Sequence, residues 1–261
     1  LSASDLYSVV PELSEIANID AEILFSLYSE NITPKHWAEM AKTIAKHVEK
    51  NAAGVVVAHG TDTLGYTAAA LSFALQDLPV PVVMVASQRS ADRPSSDAAT
   101  NLIGAVNAAA YAPFAEVVVA IHETTSDRDI VFHRGTKTRK CHTSRRDTFK
   151  SINTTPLAKT ANGKIIMLTK DYRKRDTSRR LSLKPNFDER AALIKFYPGL
   201  NPEIIDWHVD KGCRGIILEG TGLGHVGTDM FPPLERCQRE EIPVVLVVEP
   251  LFGYIQLRVY E

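Results

Sequence analysis

His59-Gly60-Thr61-Asp62-Thr63 sets two hydroxyls and a carboxylate directly after a glycine, a string able to do acid–base or nucleophilic work. Gly60 lets the chain turn sharply and lets its backbone approach a ligand. A threonine hydroxyl is a poor nucleophile until a base takes its proton, and an adjacent carboxylate can hold a substrate ammonium or a water. Thr61, Asp62 and Thr63 are equally competent helix caps, with aspartate favoured by the helix dipole. Arg139-Lys140-Cys141-His142-Thr143-Ser144 gathers an amine, a thiol and an imidazole. A lysine becomes a base where burial or nearby cations lower its pKa from about 10.4, and the cations around Lys140 act in that direction. Cys141 and His142 make a poor cysteine-protease pair, because adjacent residues of a strand point to opposite faces. Gly220-Thr221-Gly222-Leu223-Gly224 lacks the Lys-Ser/Thr ending of a Walker A loop and the GxGxxG register, so a plain turn is its ordinary reading. The eight histidines and three cysteines show no zinc-ligand spacing, and no metal is expected.

These strings lie between elements that must position them. Residues 33–50 read as a helix, with Thr33 as N-cap, Pro34 at the first helical position, and Trp37, Met40, Ala41, Ile44, Ala45 and Val48 on one face. Val55 to Ala58 is a β-branched run without alternation, as expected of a strand buried on both faces. The spacing then predicts a helix over 64–75, a strand over 82–85, a helix over 96–110 and a strand over 116–121. Strands alternating with helices imply βαβ units in a mainly parallel sheet. Right-handed crossovers place the loops after Ala58 and Val85 on one edge, where open α/β sheets bind ligands. A smaller α/β unit follows, with strands at 191–197, 215–218 and 244–248 and helices at 202–211 and 231–240.

The expected organisation is a larger N-terminal α/β sandwich over 1–169, a Lys/Arg/Ser-rich linker over 170–188, and a smaller C-terminal α/β domain over 189–261. The 261 residues supply ample core, and 44% hydrophobic with 23% charged residues argues against disorder. No apolar stretch approaches the length of a membrane span, no signal peptide opens the chain, and the odd cysteine count suits reduced thiols in a cytoplasmic protein. The net charge of -1 conceals two basic stretches. Residues 134–150 hold seven cations against one acid, and 170–184 hold seven against two. They are either polyanion contacts or solvated loops. Neither interleaves aromatics as a base-stacking surface would. The stretch 170–184 is read as part of a solvated linker, and any polyanion contact it makes would be through phosphates.

Taken together, Val55–Thr63, Tyr28-Ser29-Glu30-Asn31, Arg139-Lys140 and the Gly220–His225 loop resemble segments of the type I/II asparaginase family. Gln88–Asp97, Arg139–Asp147 and Phe196-Tyr197-Pro198-Gly199 further resemble its archaeal tRNA-dependent amidotransferase branch. The resemblance implies an asparaginase-like fold and a glutaminase that releases ammonia from glutamine, or from asparagine. It implies that Thr61, Asp62 and Lys140 are catalytic, with Lys140 the base for Thr61 and Asp62 the site of the substrate's α-amino group. Ser29 and Glu30 would hold the substrate's polar ends, Gly60 would border it, and Ser87 would offer a backbone carbonyl to the leaving amide. Glu30 stands where the family usually has glutamine. The implied partners are the amidotransferase E subunit, which uses ATP and Mg and converts Glu-tRNA(Gln) to Gln-tRNA(Gln), and tRNA(Gln) through the complex. A homodimer within a heterotetramer is implied as well, with Gly220–His225 of one copy near Thr61 of the other. No cofactor belongs to this chain. The family's Thr-Gly-Gly-Thr-Ile motif, which carries its primary nucleophile, and its Thr-Ser-Gln-Cys motif are not found here, so these residues are expected to be part of a longer chain. The alternatives are a free-standing L-asparaginase and an inactive scaffold that binds a partner or tRNA.

Overall fold

The computed structural model describes residues 3–90 and 93–260, in two units, 1–187 and 188–261. The first unit opens with α1 (Ala3–Val9) and α2 (Leu13–Ile16), followed by α3 (Pro34–Glu49). Pro34 takes the first turn of α3 as its spacing predicts, and the backbone N–H of Thr33 donates to His36 Nδ1 at 3.0 Å. Then come β1 (Val55–Ala58), α4 (Leu64–Ala74), β2 (Leu75–Gln76), β3 (Val82–Val85), α5 (Ala98–Tyr111) and β4 (Val117–His122). From α3 to β4 the order is the predicted one apart from the two-residue β2, while α1 and α2 were not expected, and β1, β3 and β4 are parallel neighbours.

The uninterrupted apolar runs make sense because both faces of this sheet are covered. Val82, Met84, Val117, Val119 and Ile121 point into a core shared with α3 and α4. Val83, Val85, Val118 and Ala120 point into a second core against α5. Alternate residues of each strand thus serve opposite layers, which keeps β3 and β4 apolar as far as Ile121.

Beyond β4 the sheet departs from the mainly parallel expectation. β5 (Ile130–Arg134), β8 (Ala158–Ala161) and β9 (Lys164–Met167) extend it antiparallel, in the order β1-β3-β4-β5-β8-β9. The sheet is therefore mixed within an α/β fold. A separate hairpin of β6 (Thr138–Lys140) and β7 (Phe149–Ser151) is inserted after β5. Short hairpin connections need no crossover helix, which is why this stretch lacks helical periodicity.

His133 on β5 is buried, with Nδ1 2.8 Å from Ser151 Oγ on the hairpin. Burial, reinforced by the Lys150 charge, pushes its pKa down to about 4. The unfolded chain therefore takes up this proton near pH 6.5 while the folded chain resists it until about pH 4. Stability should be unaffected by His133 above pH 6.5 and should fall as pH drops from there towards 4, by about 3 kcal/mol at most. Denaturant titrations at pH 7 and 4.5 should show a shallower loss for His133→Asn than for the parent. Equal losses would show that His133 is not the group involved.

The expected solvated linker over 170–188 is corrected by the structure, because 170–187 is fastened to the first unit. β10 (Ser182–Leu183) pairs antiparallel with β2, and Arg173 N–H donates to Glu116 Oε1 at 2.9 Å. Arg179 Nη1 donates to the Leu78 carbonyl at 2.7 Å. Arg175 Nη1 donates to the Ala110 carbonyl at 2.6 Å and Nη2 to the Ala109 carbonyl at 2.7 Å, with a further bond to the Ala53 carbonyl. One guanidinium thus satisfies carbonyls at the end of α5 and before β1 together. Arg175→Ala should lower stability by roughly 2–4 kcal/mol, since it strands part-buried acceptors. A denaturation midpoint equal to that of the parent would count against this strap.

The second unit holds the three predicted strands, β11 (Ala191–Lys195), β12 (Gly215–Gly220) and β13 (Val244–Val248), and the structure pairs them parallel in that order. α6 (Glu203–Asp210) supplies its core with Ile205 and Val209, α7 (Phe231–Arg239) with Cys237, and the turn before α7 with Met230. Leu193, Ile217 and Val245 lie in one register row and are exposed.

Candidate active site

The first unit assembles its site at the carboxyl edge of β1 and β3. β1 ends at Ala58, and the His59 N–H donates to the Val85 carbonyl at 2.9 Å, which carries the pairing one residue further. His59 to Thr63 then forms the turn into α4. Capping does not occupy the side chains here. Thr63 stands at the N-cap position without a side-chain cap, and its hydroxyl donates instead to the Ser29 carbonyl at 2.6 Å.

Thr61 and Asp62 meet Lys140. The Lys140 ammonium donates to Thr61 Oγ1 at 2.9 Å and to Asp62 Oδ1 at 2.7 Å. The Lys140 side chain is 18% exposed and that of Asp62 is 65% exposed, so the amine is half sheltered while the carboxylate opens to solvent. The cations that crowd Lys140 in sequence are not its partners. Arg145 forms a two-bond pair with Asp147, and Arg146 pairs with Asp127. The anion Asp62 is the neighbour that matters. An amine in hydrogen-bond reach of a hydroxyl can exchange a proton with it, and a solvent-facing carboxylate beside them can hold an ammonium.

Ser29 and Glu30 arrive on a single 3-10 turn, Ser29–Asn31. Ser29 is buried against Gly60, and Glu30 is exposed. A Cβ at Gly60 would come within 2.8 Å of Ser29 Cβ and 2.9 Å of Ser29 Oγ, so glycine is required for the close approach of the two segments. Ser87 follows β3 and is half-buried. The Gly220–His225 loop, in the second unit, closes on itself. Thr221 N–H donates to the His225 carbonyl and the His225 N–H returns to the Thr221 carbonyl, both at 2.9 Å. Gly224 has φ 111°, a conformation suited to glycine, and the loop is a tight turn as read from sequence. Among the described residues no group of three or more His, Cys, Asp or Glu is placed to hold a metal ion.

The Asparaginase, N-terminal family matches residues 1–173, and the Glutaminase/Asparaginase C-terminal domain family matches residues 190–261. The chain belongs to the asparaginase family. Asparaginase-family relatives named as the D subunit of glutamyl-tRNA(Gln) amidotransferase include one from Pyrococcus horikoshii, 50% identical over 99% of this chain and 59% of its own. Those from Thermofilum pendens and Metallosphaera sedula are 46% and 49% identical, over 99% and 100% of this chain and 58% and 60% of theirs. The chain thus spans about six-tenths of the length of these relatives. Among solved structures, the thermostable L-asparaginase from Thermococcus kodakarensis superposes with a TM-score of 0.84 at 29% identity, over all of this chain and 76% of that one.

Around this candidate site the structure shows supports that sequence reading missed. Trp37 Nε1 can only donate, and it donates to Thr67 Oγ1 at 3.0 Å. The Thr67 hydroxyl is then free to donate to His59 Nε2, 2.9 Å away, which leaves the His59 proton on Nδ1 facing the Gly60 carbonyl at 2.7 Å. Burial holds His59 below the usual imidazole range, which suits this neutral form. Asp97, fully buried at the start of α5, accepts the Gln88 and Arg89 N–H groups at 3.0 and 2.9 Å. This fixes the chain directly after Ser87. Ala91 and Asp92 of the Gln88–Asp97 segment lie outside the described residues. Polar residues placed inside apolar runs, such as Thr67, Asn101 and His122, were the available signal for these supports.

Proposed function

We propose that this chain carries the amidohydrolase part of the glutaminase component of a tRNA-dependent amidotransferase. Its substrate would be glutamine, with asparagine as a second amide donor. Water adds to the side-chain amide carbon, the C–N bond breaks, and ammonia leaves as the carboxylate forms. The observation that carries this reading is the Lys140 amine bridging Thr61 Oγ1 and Asp62 Oδ1 at a sheet edge suited to ligands. In this reading Lys140 moves the proton at Thr61, and Asp62 receives the substrate's ammonium. Ser29 and Glu30 contact its polar ends, Gly60 keeps Ser29 close, and Ser87 offers its carbonyl to the leaving amide. The naming of the relatives as one component of an amidotransferase supports a place in a larger assembly. There the E subunit would use ATP and Mg to activate Glu-tRNA(Gln), and the ammonia would complete Gln-tRNA(Gln). The expected setting is the cytoplasm, as a homodimer within a heterotetramer, with Gly220–His225 of one copy near Thr61 of its partner. Among the described residues no helix is long and apolar enough to cross a membrane.

The experiment is ammonia release from glutamine and from asparagine by the full-length polypeptide, with and without the E subunit and Glu-tRNA(Gln). Hydrolysis of glutamine stimulated by the complete complex supports the reading. Efficient asparagine hydrolysis without any partner would favour the second reading, a free-standing asparaginase, to which the L-asparaginase superposition lends weight. No hydrolysis under any condition would leave an inactive scaffold.

A further inference from the structure

We propose that Arg146 is a positioning residue, a brace tying the hairpin that carries Lys140 to the chain that follows Ser87. The Arg146 side chain is 20% exposed and reaches two neighbouring segments. Nη1 donates to Asp127 Oδ1 at 2.7 Å and to the Thr125 carbonyl at 3.4 Å, and Nη2 donates to the Ser95 carbonyl. Asp127 in turn stands 2.9 Å from Nε2 of His122, a fully buried ring at the end of β4. The other ring nitrogen, Nδ1, lies 2.6 Å from Asn101 Oδ1. Asn101 is itself fixed, because its amide donates to the Ala86 carbonyl at 2.9 Å and to Asp97 Oδ2 at 3.1 Å. Asp97 holds the N–H groups of Gln88 and Arg89. One unbroken line of hydrogen bonds therefore runs from the Lys140 hairpin to both sides of Ser87.

The hairpin end is stiff enough to pass a displacement on. Cys141 N–H donates to the Thr148 carbonyl at 2.8 Å and His142 N–H to Thr148 Oγ1 at 3.0 Å. His142 Nδ1 accepts the N–H groups of Ser144 and Arg145 at 3.0 and 3.1 Å. Lys140 immediately precedes this closed loop, so a shift at Arg146 reaches the backbone that carries the amine, which Thr61 and Asp62 hold at its far end. Asp127 is 58% exposed, and a half-exposed ion pair adds little to global stability. What the brace secures is the relative placement of Lys140 and the Ser87 segment, where small errors are costly to rate. The proton transfer at Thr61 and the holding of the substrate do not themselves require Arg146.

The kinetic arm of the test rests on the amidohydrolase reading, and the exchange arm does not. In the full-length protein, Arg146→Ala should speed amide hydrogen exchange of residues 86–90, 93–97 and 141–148 by about tenfold while the sheet strands keep their protection. Its kcat for amide hydrolysis should fall about tenfold, near 1.4 kcal/mol, with KM changed by less than about threefold. Arg146→Lys, which retains the Asp127 contact alone, should recover part of both effects. Arg128→Ala, at the exposed residue that follows Asp127, should alter neither. Parent-like exchange in Arg146→Ala would overturn the brace whatever the kinetics. Faster exchange with an unchanged kcat would show that the brace does not position the site. Failure of the parent protein to release ammonia would refute the functional reading, and exchange would still decide the brace.

Discussion

Lys140→Met should abolish amide hydrolysis, lowering kcat by about two to four orders of magnitude, the range contributed by a positioned proton-transfer group. The methionine stem nearly fills the space of the lysine stem, so the loss is chemical rather than structural. It removes the donor to Thr61 Oγ1 and Asp62 Oδ1 together. Asp62 is mostly exposed and can turn to water, so the fold should lose less than about 1 kcal/mol. Steady-state kinetics beside a thermal melt would check both halves. More than a tenth of the parent rate in a folded Lys140→Met protein would rule out Lys140 as the base.

Gly60→Ala should have the next largest effect, and by another route. A methyl group at Gly60 would sit 2.8 Å from Ser29 Cβ, well inside contact distance, and Ser29 is buried with its carbonyl held by Thr63 Oγ1. Overpacking of this kind costs about 1–3 kcal/mol unless the backbone shifts. Here the shift would carry Ser29 and Glu30 away from Thr61. KM for the amide substrate should rise at least about tenfold, and the melting temperature should fall. Unchanged KM would mean that the Ser29–Asn31 turn does not line the substrate site.

The elements from α3 to β4, the two-residue β2 apart, were legible because each strand serves two cores and each helix one face. Burial then leaves an uninterrupted or a 3.6-residue apolar pattern. Lys140 was singled out by its cation-rich neighbourhood and by family resemblance, but the reason read from that neighbourhood does not hold. The cations near it in sequence are tied to Asp147 and Asp127, and sequence proximity said nothing of that. β5 to β9 were missed because they are strands of three to five residues joined by hairpins, too short for period-two alternation to declare itself. The 170–187 strap was read as solvated because arginine is usually exposed. The carbonyls that claim Arg175 belong to residues 65 and 66 positions away and could not be inferred from composition. Asp97 and His122 escaped for a related reason, since a buried polar residue inside a helix or strand pattern looks like noise until its partners are known.

The Lys140–Thr61 contact joins residues 79 positions apart, and the Lys140–Asp62 contact spans 78. Both require β1, the turn into α4 and the late hairpin to be docked at once. Closing so long a loop is among the slower events available to a chain of this size. Helix content and the parallel half of the sheet can therefore form well before enzymatic competence exists. Recovery of activity during refolding reports on this late docking step, and it should lag circular dichroism.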